Sequence, residues 1–239
     1  MSLSSHSNSE SDRERWNRKH RESQHGSDAH ASSGPDALPD TLLEEAFAKY
    51  VLPLFPNGGA ALDLAGGSGR HAIWLAKRGW DVTLIDVSDV GVEQARQNAG
   101  PLASNIRFVV DDLTRFRASQ TQLSEPRFSE AHVSQTKFDL VVVFYYLERQ
   151  IFPEILSALR PGGLLIYKTH MRSSGVPSDV PSAVPSDSPP ANLTLGPNNP
   201  AYLLAPGELP RLVNGLRIMH YREDLASRPT AELVAEKAF

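Results

Sequence analysis

The segment Ala60 to Arg70, reading Ala-Ala-Leu-Asp-Leu-Ala-Gly-Gly-Ser-Gly-Arg, joins an apolar strand pattern to a glycine turn that opens at once into a helix pattern over Arg70–Arg78. A second strand pattern, Asp81–Ile85, follows and ends in Asp86. Gly67 and Gly69 let the backbone take positive φ and approach a ligand closely, and the N–H groups that open a helix suit an anionic group. Asp86, seventeen residues after Gly69, stands where a carboxylate accepts hydrogen bonds from ribose hydroxyls. The chemistry implied is that of a nucleotide-type cofactor.

The glycines alone do not choose the cofactor, because Gly67-Ser-Gly69-Arg-His-Ala72 also fits the permissive dinucleotide fingerprint. Asp63 narrows the choice. An acid at the end of the first strand repels a pyrophosphate but can hold an ammonium group directly or through water. S-adenosylmethionine carries that ammonium and has no phosphates. The plainer alternative, glycines that only turn the chain and an Asp63 that only caps, accounts less well for the strand–turn–helix–strand context.

The elements that must position these residues alternate along the chain. Strand patterns fall at Ala60–Leu64, Val82–Ile85, Ile106–Val110, Phe138–Phe144 and Leu164–Thr169, with helical patterns between most of them. Near-continuous apolar strands separated by helices predict an α/β fold, a doubly wound and mostly parallel sheet covered on both faces. Ligands bind such sheets outside the carboxyl ends of the strands, and those ends carry Asp63, Asp86, Asp112 and Phe144–Tyr146. A helix is expected around Gly207–Val213. The stretches Leu216–Tyr221 and Ala231–Ala238 read as two last strands that can pair as an antiparallel hairpin at the sheet edge. From Thr41, the residues Leu42, Leu43, Phe47 and Val51 recur at helical spacing until Pro53, which is expected to stop the helix.

Residues 1–40 are polar and expected to be largely disordered, with the patch Trp16–His20 as an exception, since an isolated Trp in a polar tail usually packs onto something. Residues 41–239 then form one domain interrupted by two flexible insertions, 118–137 and 172–197. The second contains a Val-Pro-Ser repeat that cannot form sheet or helix ladders, and it is either a passive surface loop or a lid. With 239 residues and 40% hydrophobic content, the chain can bury one full core. A net charge of −4 gives no strong field for nucleic acid or anionic membrane, so a nucleic-acid substrate is disfavoured. The absence of cysteine excludes disulfides, thiolate metal sites and a cysteine nucleophile, and no His, Asp and Glu pattern suggests a metal. No apolar run reaches membrane-span length and the N-terminus lacks a signal-peptide core, which makes the cytoplasm the default location.

Taken together, Leu62–Ala72, Gly79-Trp80-Asp81-Val82, Asp86, Asp112-Leu113, the Phe138–Phe144 strand, Arg160-Pro161-Gly162-Gly163, Asn199–Leu204 and Pro206-Gly207-Glu208-Leu209 resemble the class I S-adenosylmethionine-dependent methyltransferases, within them the bacterial tellurite-resistance-like group. The resemblance covers nearly everything from Trp16 onward except the two insertions. It implies a Rossmann-like seven-stranded sheet of order 3-2-1-4-5-7-6 with an antiparallel edge strand, S-adenosylmethionine as cofactor, and methyl transfer to a small-molecule acceptor. By the same resemblance the backbone of Ala65, Gly66, Gly67 and Gly69 holds the methionine part, with Asp63 near its ammonium. Asp86 takes the ribose and Val87 packs on adenine. Asp112 and the Leu113 N–H read the adenine edge, and Phe144 and Tyr145 lie beside the sulfonium. Read from the residue alone, Asp112 can equally be a cap before Thr114.

Methyl transfer depends mostly on alignment and exclusion of water, so no universal catalytic residue is expected. If the acceptor carries a proton, the candidates for a base are Tyr145, Tyr146, Glu148 and His170. An ordinary phenol is protonated at neutral pH, which makes Tyr146 a wall residue rather than a base. His170 titrates in the useful range. Arg149 either binds a substrate carboxylate or pairs with Glu148. Relatives often have an arginine and a histidine where this chain has Tyr145 and Glu148, and an acid near Lys168. Near the N-terminus they have a Trp-then-Tyr pair that folds over the cofactor, with His20 in the tyrosine position here, which makes Trp16–His20 a candidate cofactor-covering patch. Two other readings are open: a methyltransferase-like scaffold without catalysis, and a nicotinamide-dependent oxidoreductase, for which a second domain or a Tyr-x-x-x-Lys pair is not evident. The acceptor atom and the oligomeric state are not written in the sequence.

Overall fold

The computed structural model describes residues 11–25, 34, 37–115, 137–172, 200–226 and 228–239. The chain divides into two compact units, Met1–Phe116 and Arg117–Phe239. The predicted insertions lie outside the described residues apart from Lys137 and Arg172, as do the Val-Pro-Ser repeat and the first ten residues.

The first unit opens with helix α1 (Asp12–His25), a departure from the little order expected of residues 1–40. Its order does not come from apolar burial, because Asn17 is its one buried residue among the described side chains. Helix α2 (Thr41–Ala46) starts at Asp40, whose carboxylate accepts the Leu42 N–H at 3.0 Å. The chain runs on through a π-turn, Phe47–Val51, into the short helix α3 (Leu52–Leu54). Pro53 therefore does not stop the helix where expected. The π-turn passes the Leu52 N–H to the Phe47 carbonyl, and Pro53 falls in the first turn of α3, where its missing donor leaves no gap.

Strand β1 (Ala60–Leu64), helix α4 (Arg70–Ala76), strand β2 (Asp81–Asp86), helix α5 (Asp89–Ala99) and strand β3 (Ile106–Val110) complete the unit. β2 pairs in parallel with β1 on one side and β3 on the other, with Asp63 opposite Leu84 and Asp86 opposite Val110. Leu62, Leu64 and Leu84 are fully buried, as continuous apolar strands require. Phe47 meets Trp74 and Trp80 edge-on at 5.1 and 6.2 Å, anchoring the helices over the sheet.

In the second unit every residue of β4 (Phe138–Phe144) is buried. After helix α6 (Phe152–Ala158), β5 (Leu159–His170) pairs with β4 in parallel. β5 begins five residues before the predicted Leu164, because Leu159 pairs with Phe138 and the ladder then shifts to Leu140 with Leu164. Gly162, at φ 77°, takes up the bulge. Helix α7 (Glu208–Leu212) leads to the predicted antiparallel pair, β6 (Leu216–Asp224) and β7 (Thr230–Lys237), with β7 also antiparallel to β5. The strand order is β3-β2-β1-β4-β5-β7-β6, the order that the resemblance implied.

Candidate functional site

At the end of β1 the backbone turns through Ala65, which has φ 58° although it is not glycine, then Gly67 at φ 52° and Gly69 at φ 86°. The Ala65 and Gly66 N–H groups both donate to the Ile85 carbonyl at 2.9 and 3.3 Å, which ties the turn to β2. The turn is closed on the other side by α5, where the Asn98 amide donates to the Ser68 carbonyl at 3.2 Å. A side chain at Gly66 would strike Leu84 and the Asp63 carboxylate, and one at Gly69 would lie 2.8 Å from the Ala95 methyl.

The two acids fill this turn from within. Asp63 is 1% exposed and accepts the Ala72 N–H at 3.1 Å. Burial raises its pKa to about 7, opposed by the Ala72 hydrogen bond and reinforced by the nearby Asp86 charge. Asp86 accepts the Gly67 N–H at 2.9 Å through one oxygen and the Ser88 N–H at 2.8 Å through the other. Burial pushes Asp86 up as well, against these hydrogen bonds and the neighbouring His20. The N–H groups at Gly67 and Ala72, which the sequence suggests as a seat for an anion, are thus matched by the protein's own carboxylates. The turn suits a cation and hydroxyl donors rather than a phosphate, and each Asp86 oxygen keeps a further lone pair for a hydroxyl.

Helix α1 lies against this turn. Asn17 accepts the Ser88 hydroxyl at 2.6 Å and donates to Asp89 at 2.8 Å, while Gln94 donates to the His20 carbonyl at 3.1 Å. The His20 ring packs on Gly67 and Gly91; a Cβ at either would stand 3.2 Å and 2.7 Å from it. Asn17 lies within the Trp16–His20 patch, whereas Ser88 and Gln94 were missed in the sequence. His71, beside the turn, is buried and accepts the Asp40 N–H at 3.3 Å; burial and the Arg70 charge hold it neutral, with a pKa of about 3.

Val87 is half-buried after β2, and Leu113 is 3% exposed after β3. Asp112 takes the capping role: one oxygen accepts both the Thr114 N–H at 3.0 Å and its hydroxyl at 2.7 Å.

In the second unit, Phe144 is buried at the end of β4 and Tyr145 follows with φ 58°. Its N–H donates to the Lys168 carbonyl at 2.7 Å, and its 40% exposed side chain stacks on His170 with ring centres 5.1 Å apart. Burial, then the Arg228 and Lys168 charges, lower the pKa of His170 and keep its imidazole neutral. The Tyr146 carbonyl accepts the Tyr167 hydroxyl at 2.6 Å. Glu148 caps the turn Arg149–Ile151 by accepting the Gln150 N–H at 3.0 Å. Arg149 finds its main partner away from Glu148, whose charge nevertheless acts on it. Its guanidinium binds Glu208 at 2.6 and 3.1 Å and the carbonyls of Ala201 and Leu203 at 2.6 and 3.0 Å, so it is held by α7 and the chain before it. Among the described residues no group of three or more His, Asp or Glu is placed to hold a metal, and no helix is long and apolar enough to cross a membrane.

Residues 61–163 match the family model described as a methyltransferase domain. The chain is 26% identical over 137 residues to a putative methyltransferase, YqeM, of Bacillus subtilis, covering 55% of this chain and 52% of the relative. It is 27% identical over 141 residues to the tRNA 5-carboxymethoxyuridine methyltransferase of Escherichia coli, covering 56% and 49%. The chain thus spans about half the length of these curated relatives. TehB of Haemophilus influenzae superposes with a TM-score of 0.57 at 18% identity, over 84% of this chain and 63% of that one. One relative acts on tRNA by name, so the expectation that nucleic acid is disfavoured finds no support there. With the strand order, the glycine turn and its two acids in place, residues 61–163 match a methyltransferase domain and the fold is similar to that of TehB.

Proposed function

We propose that the protein transfers a methyl group to a small-molecule acceptor. The observation that carries the reading is the pair of buried acids in the glycine turn, which favours a cationic, hydroxyl-bearing ligand over a phosphate-bearing one. Asp63 holds the ammonium, Asp86 the ribose hydroxyls, and the backbone from Ala65 to Gly69 cradles the methionine part. Val87 and Leu113 pack the adenine, with Asp112 as acceptor through its remaining capacity. S-adenosylmethionine supplies, when bound, a methyl on a cationic sulfur that leaves as a neutral thioether. The neutral His170 is the group best suited to accept a proton from an acceptor that carries one, and the Tyr145 ring beside it supplies an aromatic wall. Tyr146 serves as a further wall, and Glu148, held in its capping bond, is the weaker base candidate. The modest net charge of −4 is consistent with a small acceptor.

Calorimetry with S-adenosylhomocysteine and with NAD tests the cofactor side. The homocysteine compound should bind and NAD should not, and Asp86→Ala should weaken binding roughly 100-fold, the scale of losing a charged acceptor for two hydroxyls. Equal binding by the variant would sink the assignment of Asp86. A second reading, methylation of tRNA, is favoured by the Escherichia coli relative. Labelled methyl transfer to total tRNA, set against a metabolite extract, separates the two, and retained S-adenosylhomocysteine binding with transfer to neither favours the scaffold.

A further inference from the structure

Lys168, His170 and Arg172 alternate along β5 and its continuation, all three half-buried. Residues two apart on an extended strand present their side chains to the same face, about 6.5–7 Å apart. Lys168 is engaged by the buried Glu232 at 3.7 Å, which also takes Arg222 at 2.8 Å and His220 at 3.3 Å. Arg172 is in a different position. Its backbone is fixed, with its N–H donating to the Leu204 carbonyl at 2.9 Å, while the Leu204 N–H returns a bond to the His170 carbonyl at 3.0 Å. Its buried Nε has no hydrogen-bond partner, the one such side-chain atom among the described residues. The carboxylate whose field it shares is Glu208, already bound by Arg149 and by the Ala205 N–H at 2.7 Å. Two guanidinium groups thus share the Glu208 carboxylate, and the Arg172 donor beside it stays without a partner. An unsatisfied buried donor is costly, so a site that keeps one gains when a small shift of the side chain brings it to a ligand that satisfies it.

We propose that Arg172 is the specificity-determining residue for the acceptor, and that it anchors a carboxylate carried by a planar molecule lying against the Tyr145 and His170 rings. The guanidinium edge formed by Nε and a neighbouring Nη matches the two oxygens of a carboxylate in parallel hydrogen bonds. The Tyr145 ring, 40% exposed and stacked on His170, supplies the flat wall. The proposal rests on the methyltransferase reading for its meaning, but the binding it describes is measured without turnover.

The test is calorimetry of benzoate with the full chain in saturating S-adenosylhomocysteine, with benzamide as the uncharged isostere and inorganic phosphate as the alternative oxyanion. Benzoate should bind and benzamide should not; phosphate should bind at least tenfold more weakly, as it cannot use the flat wall. Arg172→Gln should weaken benzoate about 30-fold, the scale of losing a charge-assisted pair of hydrogen bonds, and Arg172→Lys, which keeps the charge but not the fork, should fall between. S-adenosylhomocysteine affinity should be unchanged in both variants, which also establishes that they are folded. Benzamide binding as well as benzoate, equal benzoate affinity in Arg172→Gln, phosphate binding as tightly as benzoate, or no benzoate binding by the parent chain would each overturn the proposal. If S-adenosylhomocysteine itself fails to bind the parent chain, the methyltransferase reading falls separately, and the benzoate series still decides the role of Arg172.

Discussion

Two non-glycine residues among those described take positive φ, Ala65 after β1 and Tyr145 after β4, both at 58°. Both hold backbone strain of order 1–2 kcal/mol that the surroundings must enforce. What surrounds them differs. Ala65 leads into a turn made of backbone and enclosed carboxylates, where the Gly67 and Ala72 N–H groups each have an acid partner. Tyr145 instead presents a side chain, with the His170 imidazole stacked on it and the charges of Arg228 and Lys168 acting on that ring. A ligand site built from main chain tolerates little change, because every contact depends on the path of the backbone. One built from side chains can be retuned residue by residue without altering the fold.

The contrast can be broken first at glycines. Gly69→Ala should destabilise the protein by about 3 kcal/mol in urea unfolding, since it combines φ 86° with a methyl 2.8 Å from Ala95. Gly207→Ala, at φ 65° with nothing within 4 Å, should cost only about 1 kcal/mol. Equal losses would mean that close packing is not what sets the turn after β1 apart. Next in size is Arg149→Met. It should lower stability by about 2 kcal/mol through the lost hydrogen bonds to Glu208 and two carbonyls while leaving S-adenosylhomocysteine affinity unchanged; a loss of affinity would place Arg149 in the cofactor site after all.

The smallest effect is a pH slope. Asp63 titrates near 7 when folded, against 3.8 as its ordinary value, so the folded chain binds the extra proton between about pH 4 and 7 and this group's contribution to stability falls as pH rises through that window. An ammonium beside it favours the ionised form. S-adenosylmethionine affinity should therefore rise by up to about tenfold per unit on approaching pH 7 and level off above it, with a proton released on binding at pH 6. Asp63→Asn should flatten that profile. His71, with its folded pKa lowered to about 3, works in the opposite sense: its contribution is present above pH 6.5 and is lost as pH falls toward 3. The two slopes offset each other in the parent chain between about pH 4 and 6.5, so the stability profile steepens once either is replaced.

The glycine turn and its two acids were legible in the sequence because their determinants are local. Gly67, Gly69 and Asp86 act through positive φ and a strand end, which spacing alone reveals, and the apolar runs of β1 and β4 announce burial on both faces. The rest depended on contacts far apart in the chain. Arg149 finds Glu208 fifty-nine residues on, a pairing that no periodicity encodes, with Glu148 adding only its charge. Arg172 stood at the border of a segment read as an insertion, and its value lies in a donor left without a partner, which composition cannot express. α1 reads as polar because it is polar, and its place is fixed by Asn17 reaching residues more than seventy positions away.

That manner of attachment sets how α1 comes off. A helix fastened by the amides of Asn17 and Gln94, with little apolar surface beneath it, can detach while the sheet stays whole, and such an opening exposes little area. Its free energy should respond only weakly to denaturant and carry a small heat-capacity change. The ring of His20 then leaves Gly67 without any cost to the hydrophobic core, so the glycine turn is uncovered by a local fluctuation rather than by the unfolding of the whole.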